Sequence, residues 1–455
     1  MTVSKEITRL EHSGVKLTIT VPSEDVQSGY NGLLSEYTKS IQMPGFRKGK
    51  VPRDVLIRKF GDALKGEALQ KIIEEAMGSV FEDESFSRED RPLPYSTPAV
   101  QDEPKLELGQ DLCFSVVYDV LPKVTPGTWQ GLEVEVPDAA VGEEDLVREL
   151  EAVRERNAIV MDKDEGAAAL EGDVVTLNYC ELDDAGGVIQ GTERQDFVFT
   201  LGSGYNIYKF DDEIKGMKKG ETRDFSKTYP EDFDNKDMAG KTRNIRVTLT
   251  ALKSKNLPDL DDDLAQDVDE KYRTLEELKA GIRERLEKNL ERRLREIKIN
   301  KLLEKIMETT PVDIPESMIR IELDSRWRNL ARRFNTDSDG LYRMMGTGSE
   351  KVRSILDEWR PDAVRALHSR LIVETLIENL NIEVSDEELE KDLENQAAEN
   401  GETPENIKNY YEQNQMKEYL REDIKERKLY DRLFVENPIK LGEKAKYLDL
   451  ISING

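Results

Sequence analysis

Histidine and cysteine are almost missing from this chain. Each occurs twice in 455 residues, as His12 and His368 and as Cys113 and Cys180. A structural zinc site draws four ligands from cysteine and histidine. These four are scattered along the sequence, so no metal site is expected. Two cysteines do not make a disulfide framework, which fits a reducing compartment. Long apolar runs are missing too, and none reaches the roughly 18 residues that cross a bilayer. The first residues lack a basic segment followed by an apolar core and are not read as a signal peptide. The expected location is the cytoplasm, with no membrane partner.

Positive charge is also short. There are 67 Lys+Arg against 94 Asp+Glu, a formal net charge of −27 at pH 7. Nucleic-acid binding needs basic surface that displaces counterions. DNA is therefore not an expected partner, and any RNA contact requires a local exception. The hydrophobic fraction is 37%, low for one large compact globule, and the length suggests roughly three domains. A multidomain, elongated α+β molecule with much solvated surface is expected.

Periodicity supplies the organisation. Residues 15–21 alternate with strand period, 26–41 recur with helical period, and helical spacing returns from Val55 to Phe81. Two strands are predicted at 105–108 and 112–121. Residues 1–121 thus read as an α+β domain, and 122–169, with Pro122, Pro126 and Pro137, as a linker. Residues 170–255 read as an antiparallel β domain with one short helix. Its predicted strands are 174–180, 197–201, 221–225 and 244–252, punctuated by glycine turns. Residues 256–455 read as helical. Amphipathic stripes include Ile282, Leu286, Leu290, Leu294 and Ile297, and further helices are predicted at 316–334, 350–381, 386–400 and 415–434.

The segment Met43-Pro-Gly-Phe-Arg-Lys-Gly-Lys-Val-Pro52 is a loop by its prolines and glycines. Residues 45–59 carry six cations (Arg47, Lys48, Lys50, Arg53, Arg58 and Lys59) against the single acid Asp54. Arg47 can fork onto a carboxylate or phosphate, and Phe46 can anchor in a partner's pocket or tuck into its own core. Gly45-Phe-Arg-Lys-Gly-Lys-Val-Pro52 resembles the Gly-Phe-Arg-x-Gly-x-x-Pro signature of the trigger factor family, bacterial chaperones of the ribosomal exit tunnel. Domain order and length fit that resemblance across essentially the whole chain. It implies that Gly45, Phe46, Arg47 and Lys48 dock on an exit-tunnel ribosomal protein and adjacent rRNA. It also implies binding of nascent and unfolded polypeptides, assistance with their folding and export, and self-association as a homodimer when free.

The middle domain contains no histidine, so no Ser/His/Asp or Cys/His constellation can be built there, and Cys180 stands alone on a predicted strand. Aromatics are plentiful instead. Prolyl isomerisation suits such a site, because the barrier to amide rotation is about 18–20 kcal/mol and an apolar, shape-complementary pocket can lower it without a nucleophile. Glu171-Gly-Asp-Val-Val-Thr-Leu-Asn-Tyr179, Asp196-Phe-Val-Phe-Thr-Leu-Gly202 and Phe210-Asp-Asp-Glu-Ile-Lys-Gly-Met-Lys-Lys-Gly-Glu221 resemble the FKBP-type isomerase family. The resemblance implies a proline pocket lined by Tyr179, Phe197, Ile207, Phe210 and Phe233, completed by Ile245. Three departures stand out. Tyr208-Lys209 replaces the usual Pro-Gly, Ile189 a usual Phe, and Gln190 a common acid. A weakened isomerase is expected.

In the C-terminal region the resemblance implies a cradle with helical arms. Met307, Met318, Met344, Met345 and Met416 offer adaptable client contacts, or equally inter-helix core. Trp327 and Trp359 read as core anchors, and His368 has no expected ligand role. No Gly-x-x-x-x-Gly-Lys-Ser/Thr loop is present to hold a nucleotide, and no cofactor is expected. Two other readings remain: a free isomerase whose helices only dimerise it, and a scaffold with an inactive isomerase fold.

Overall fold

The computed structural model describes residues 3–44, 46–47, 49–101, 103–346 and 350–452. Its elements begin with β1 (Ser4–Arg9), β2 (Gly14–Val21), α1 (Ser23–Ser40), α2 (Arg53–Phe81), β3 (Ala99–Gln101) and β4 (Leu112–Asp119). There follow β5 (Val134–Asp138), α3 (Glu143–Arg156), β6 (Ile159–Asp162), β7 (Val174–Leu182), β8 (Arg194–Thr200), α4 (Asp211–Ile214), β9 (Thr222–Thr228) and β10 (Thr242–Asn256). The remainder comprises α5 (Asp262–Val268), α6 (Leu275–Thr309), α7 (Glu316–Arg333), α8 (Ser338–Met345), α9 (Glu350–Asn379), α10 (Asp386–Asn400), α11 (Pro404–Gln413), α12 (Lys417–Glu436), β11 (Ile439–Lys444) and α13 (Tyr447–Ile451). The chain divides into two compact units: Met1–Val136 with Ile297–Leu441, and Pro137–Glu296 with Gly442–Gly455. Among the described residues no helix is long and apolar enough to cross a membrane.

In the first unit an antiparallel sheet of order β1-β2-β4-β3 forms. Alternation on β2 drives it. Val15, Leu17, Ile19 and Val21 are fully buried, and the register sets Leu17 opposite Val116 and Ile19 opposite Phe114 on the same face. Helices α1 and α2 cover that face with Val26, Tyr30, Leu34, Leu56, Leu64 and Ile72. The strand predicted at 105–108 does not form. Leu106 is buried in this core, but among the described residues the segment has no ladder partner. Conversely, β1 was not predicted. Every one of its residues is exposed, so it carries no alternation to read.

The helical part of this unit has several small cores rather than one. Leu302 and Ile306 of α6 pack with Ile372 and Leu376 of α9 and Leu429 and Leu433 of α12, and Val134 and Val136 of β5 join them. Met318, Ile319 and Leu323 of α7 meet Leu367 and Leu371 of α9 and Leu93 from the N-terminal part. Trp327 is buried with Leu341 and Val352, and Trp359 packs against this group. Leu389 and Leu393 of α10 face Leu420 and Ile424 of α12. Two polar ties supplement them. His12 Nδ1 lies 2.8 Å from Asp313 Oδ1, and His368 Nε2–H donates to the Thr310 carbonyl at 2.6 Å. Both histidines thus serve as hydrogen-bonding ties, His12 at the surface and His368 half-buried.

The second unit is organised by β10, a 15-residue strand. One edge pairs with β7, and the other pairs first with β9 and then with β6. β8 extends the sheet beyond β7. Helix α3 buries Leu146, Leu150 and Val153, and the N-terminal part of α6 buries Leu278, Ile282, Leu286 and Leu290. Arg285 of α6 reaches Glu149 of α3 at 2.6 Å. The stretch 122–169 therefore carries β5, α3 and β6. Of its prolines, Pro137 is the next-to-last residue of β5, where proline is tolerated, and Pro122 and Pro126 lie in the irregular stretch before that strand.

Candidate functional site

Two places carry the residues singled out from the sequence, one in each unit. The first is the connection from α1 to α2. Met43 and Val51 are buried in the N-terminal core and pin its two ends. Between them the backbone folds on itself, with Phe46 N–H donating to the Met43 carbonyl at 3.0 Å and Lys50 N–H to that of Arg47 at 2.9 Å. Gly49 has φ +80°, the left-handed region that favours glycine. Phe46 is 39% exposed, a poor use of an aromatic ring unless it meets a partner. Arg47, Lys50, Arg53, Arg58 and Lys59 are exposed as well. Gly45 and Lys48 lie outside the described residues.

The second place is the concave side of the β7–β10 sheet. The ring of Tyr179, on β7, meets Phe197 at 5.6 Å and Phe210 at 5.5 Å, both edge-on. Phe197 also lies 5.5 Å from Phe199, and Phe210 lies 6.2 Å from Phe225. Phe210 and Ile245 are fully buried, whereas Ile207 is 60% exposed. Phe233 is half-buried and its ring sits 4.7 Å from Tyr229. The five expected pocket residues therefore fall into two groups. Tyr179, Phe197 and Phe210 form a continuous aromatic cluster. Ile207 and Phe233 line an open depression of about 740 Å³ together with Tyr205, Asn206 and Lys209.

A polar frame holds the segment between them. Asn206 is nearly fully buried. Its Oδ1 accepts from Phe210 N–H at 2.9 Å, and its Nδ2 donates to Asp211 Oδ2 at 2.6 Å. Asp211 Oδ1 accepts from Gly202 N–H at 2.8 Å. Sequence reasoning missed this asparagine, since a polar residue in a loop gives no sign that it will be buried. Tyr208 stands where the family usually has Pro. In the structure it turns inward and is 9% exposed.

Burial sets the electrostatics. It pushes the Tyr208 phenol well above its ordinary value, and the hydrogen bond to Glu181 pushes the same way. Burial raises Tyr179 too, and with the charges of Glu213 and Glu181 it pushes Tyr229 up to about 12. These hydroxyls stay protonated near neutrality and act only as hydrogen-bond partners. The Cys180 thiol is raised, chiefly by burial, which makes it a poor nucleophile. The site thus offers aromatic walls and fixed dipoles. That equipment suits rotation about an amide bond, which needs no proton transfer.

Comparison with known proteins finds matches along most of the chain. A family profile described as bacterial trigger factor protein matches residues 1–153, and one described as bacterial trigger factor protein C-terminus matches 274–435. A profile of FKBP-type peptidyl-prolyl cis-trans isomerase matches residues 166–250. The trigger factor of Treponema denticola is 46% identical over 451 residues, covering 99% of this chain and 100% of that protein. The trigger factors of Treponema pallidum and Borreliella burgdorferi are 37% and 30% identical, each covering 99% of both chains. A solved trigger factor chaperone, studied for promiscuous substrate recognition in folding and assembly, is similar in fold. Its TM-score is 0.50 at 24% identity, covering 95% of this chain and 99% of that one.

Proposed function

The chain belongs to the trigger factor family, ribosome-associated chaperones with an FKBP-type peptidyl-prolyl isomerase domain, and on that premise we propose where each activity resides. Ribosome docking falls to the α1–α2 loop, through Gly45, Phe46, Arg47 and Lys48. The partners are a protein of the exit-tunnel rim and adjacent rRNA. One observation carries this assignment: Met43 and Val51 are buried while Phe46 between them stays exposed. Replacing Phe46, Arg47 and Lys48 by alanine is expected to abolish co-sedimentation with ribosomes while leaving thermal unfolding unchanged. Undiminished co-sedimentation would move docking to another surface, and a failure of the unsubstituted protein to co-sediment would favour the alternative of a free isomerase.

Isomerisation falls to the aromatic pocket of Tyr179, Phe197, Ile207, Phe210 and Phe233. The domain limits we propose are 1–121 for docking, 122–169 for the connection, 170–255 for isomerisation and 256–455 for nascent-chain binding. Unfolded and nascent polypeptides are the clients of the helical region, and the free protein self-associates. Binding proceeds without a nucleotide, through weak multivalent contacts. The family's cytoplasmic setting matches the expectation from composition.

A further inference from the structure

The pocket residues are not equally open to a ligand. The inner wall, Phe210, is flanked by the ring of Tyr208, which lies nearly parallel to it but offset, at 6.0 Å between centroids and 8° between planes. The same Tyr208 ring meets Tyr179 edge-on at 5.5 Å. Two hydrogen bonds hold it there. Its hydroxyl donates to Glu181 Oε1 at 2.9 Å, and its main-chain carbonyl accepts from Tyr229 O–H at 2.8 Å. Glu181 is itself fixed, because its Oε2 accepts from Arg243 at 3.1 Å. The flanking residues behave oppositely. Ile207 and Lys209 are exposed, and Lys209 has φ +51°, a conformation costly for a residue other than glycine.

We infer that Tyr208 is a resident plug of the isomerase site: its ring fills space between Phe210 and Tyr179 that a substrate's prolyl ring takes, so substrate enters only when the Tyr208–Glu181 hydrogen bond opens. The inference rests on the proposed pocket of Tyr179, Phe197 and Phe210. A flat ring wedged among the aromatic walls Tyr179 and Phe210 occupies the apolar space a prolyl ring would need there, so ring and substrate compete for one space. The competition appears in affinity. When the competent state is a fraction of the population, apparent affinity falls by that fraction, while the rotation step in the filled pocket is unchanged. The plug therefore raises KM and leaves kcat.

The test is isomerisation of a proline-containing tetrapeptide by the full-length protein, with kcat and KM determined separately. Tyr208→Ala removes the ring and should raise kcat/KM about tenfold or more, through KM. Tyr208→Phe keeps the ring but removes the hydroxyl's bond to Glu181. The net worth of one such bond predicts a rise of roughly fivefold. Unchanged or lower kcat/KM in a folded Tyr208→Ala protein overturns the plug. Should that variant not fold, Tyr208→Phe decides alone, and an unchanged KM there overturns it. Phe197→Ala separates the two levels. If it depresses kcat/KM while the Tyr208 variants show no gain, only the plug fails. If it changes nothing, the pocket assignment itself fails.

Discussion

Two glycines three residues apart on α1 separate packing from propensity. A Cβ on Gly29 would come 2.9 Å from Ile72 Cγ1 of the neighbouring helix α2, whereas one on Gly32 would meet nothing within 4 Å among the described residues. Both sit in the same helix, where alanine is intrinsically preferred over glycine by about 0.8–1.0 kcal/mol. Gly32→Ala should therefore stabilise the protein by roughly 0.5–1 kcal/mol. Gly29→Ala drives a methyl into the buried Ile72 side chain, which must shift within a packed core, and should destabilise it by about 1–3 kcal/mol. Urea unfolding of the two variants gives the comparison. Equal effects would mean that α1 and α2 do not approach as closely as the Gly29–Ile72 contact requires. Tyr208 makes a related point about single residues. Composition shows that an aromatic stands where Pro is usual, but not which way it turns. Ile207 and Tyr208 are both apolar enough to be buried. The choice is made by backbone geometry at Lys209 and by partners far away in sequence, Glu181 and Tyr229.

Among elements, the legible ones are those whose burial leaves a period. Strand β2, helices α1, α2, α7 and α10 and strand β10 each show it, because one face is packed and the other wet. Elements without a wet and a dry face left no such trace, as with β1, exposed throughout, and β6, also exposed along its whole length. The α1–α2 loop was legible for a different reason: glycine and proline mark backbone geometry directly. Within the second sheet the register makes a testable pair. Asp224 of β9 lies opposite Arg246 of β10, and the guanidinium forks onto the carboxylate at 2.7 and 2.6 Å. The hydrogen bonds from Arg246 hold the Asp224 carboxyl below its usual range, with burial working against them. A folded-state pKa below the unfolded one gives stability that is present above about pH 4 and lost as pH falls through the folded value. Both side chains are substantially exposed, so the pair is worth little. Asp224→Asn should lower the Tm by a few degrees, of order 2 °C, at pH 7. The gap from the unsubstituted protein should close progressively below about pH 4. A gap that persists unchanged in acid would show that the substitution acts through packing rather than charge.

For the whole molecule, the charge balance has to be read at the range over which charge acts. A total of −27 looks hostile to an RNA-rich partner. At physiological ionic strength, however, fields decay over about 8 Å. An approaching phosphate therefore meets the local charge of the loop proposed for docking, not the total. Within residues 45–59 the cations outnumber the acid six to one, and Lys50, Arg53, Arg58 and Lys59 are all exposed. Docking should accordingly divide into two contributions with different salt responses. Each cation that neutralises a phosphate releases counterions and adds close to one unit to the slope of log affinity against log salt. Burial of the Phe46 ring in a protein pocket adds affinity with almost no slope. Ribosome affinity measured across a salt series should therefore fall with salt. Arg53→Ala or Arg58→Ala should flatten the slope by about one unit wherever the side chain meets phosphate. Phe46→Ala should lower the whole line in parallel. A slope indifferent to every cation in the loop would leave docking to protein–protein contact alone. A slope changed by Phe46→Ala would mean that the ring, rather than the net charge, sets the depth at which the cations reach the rRNA.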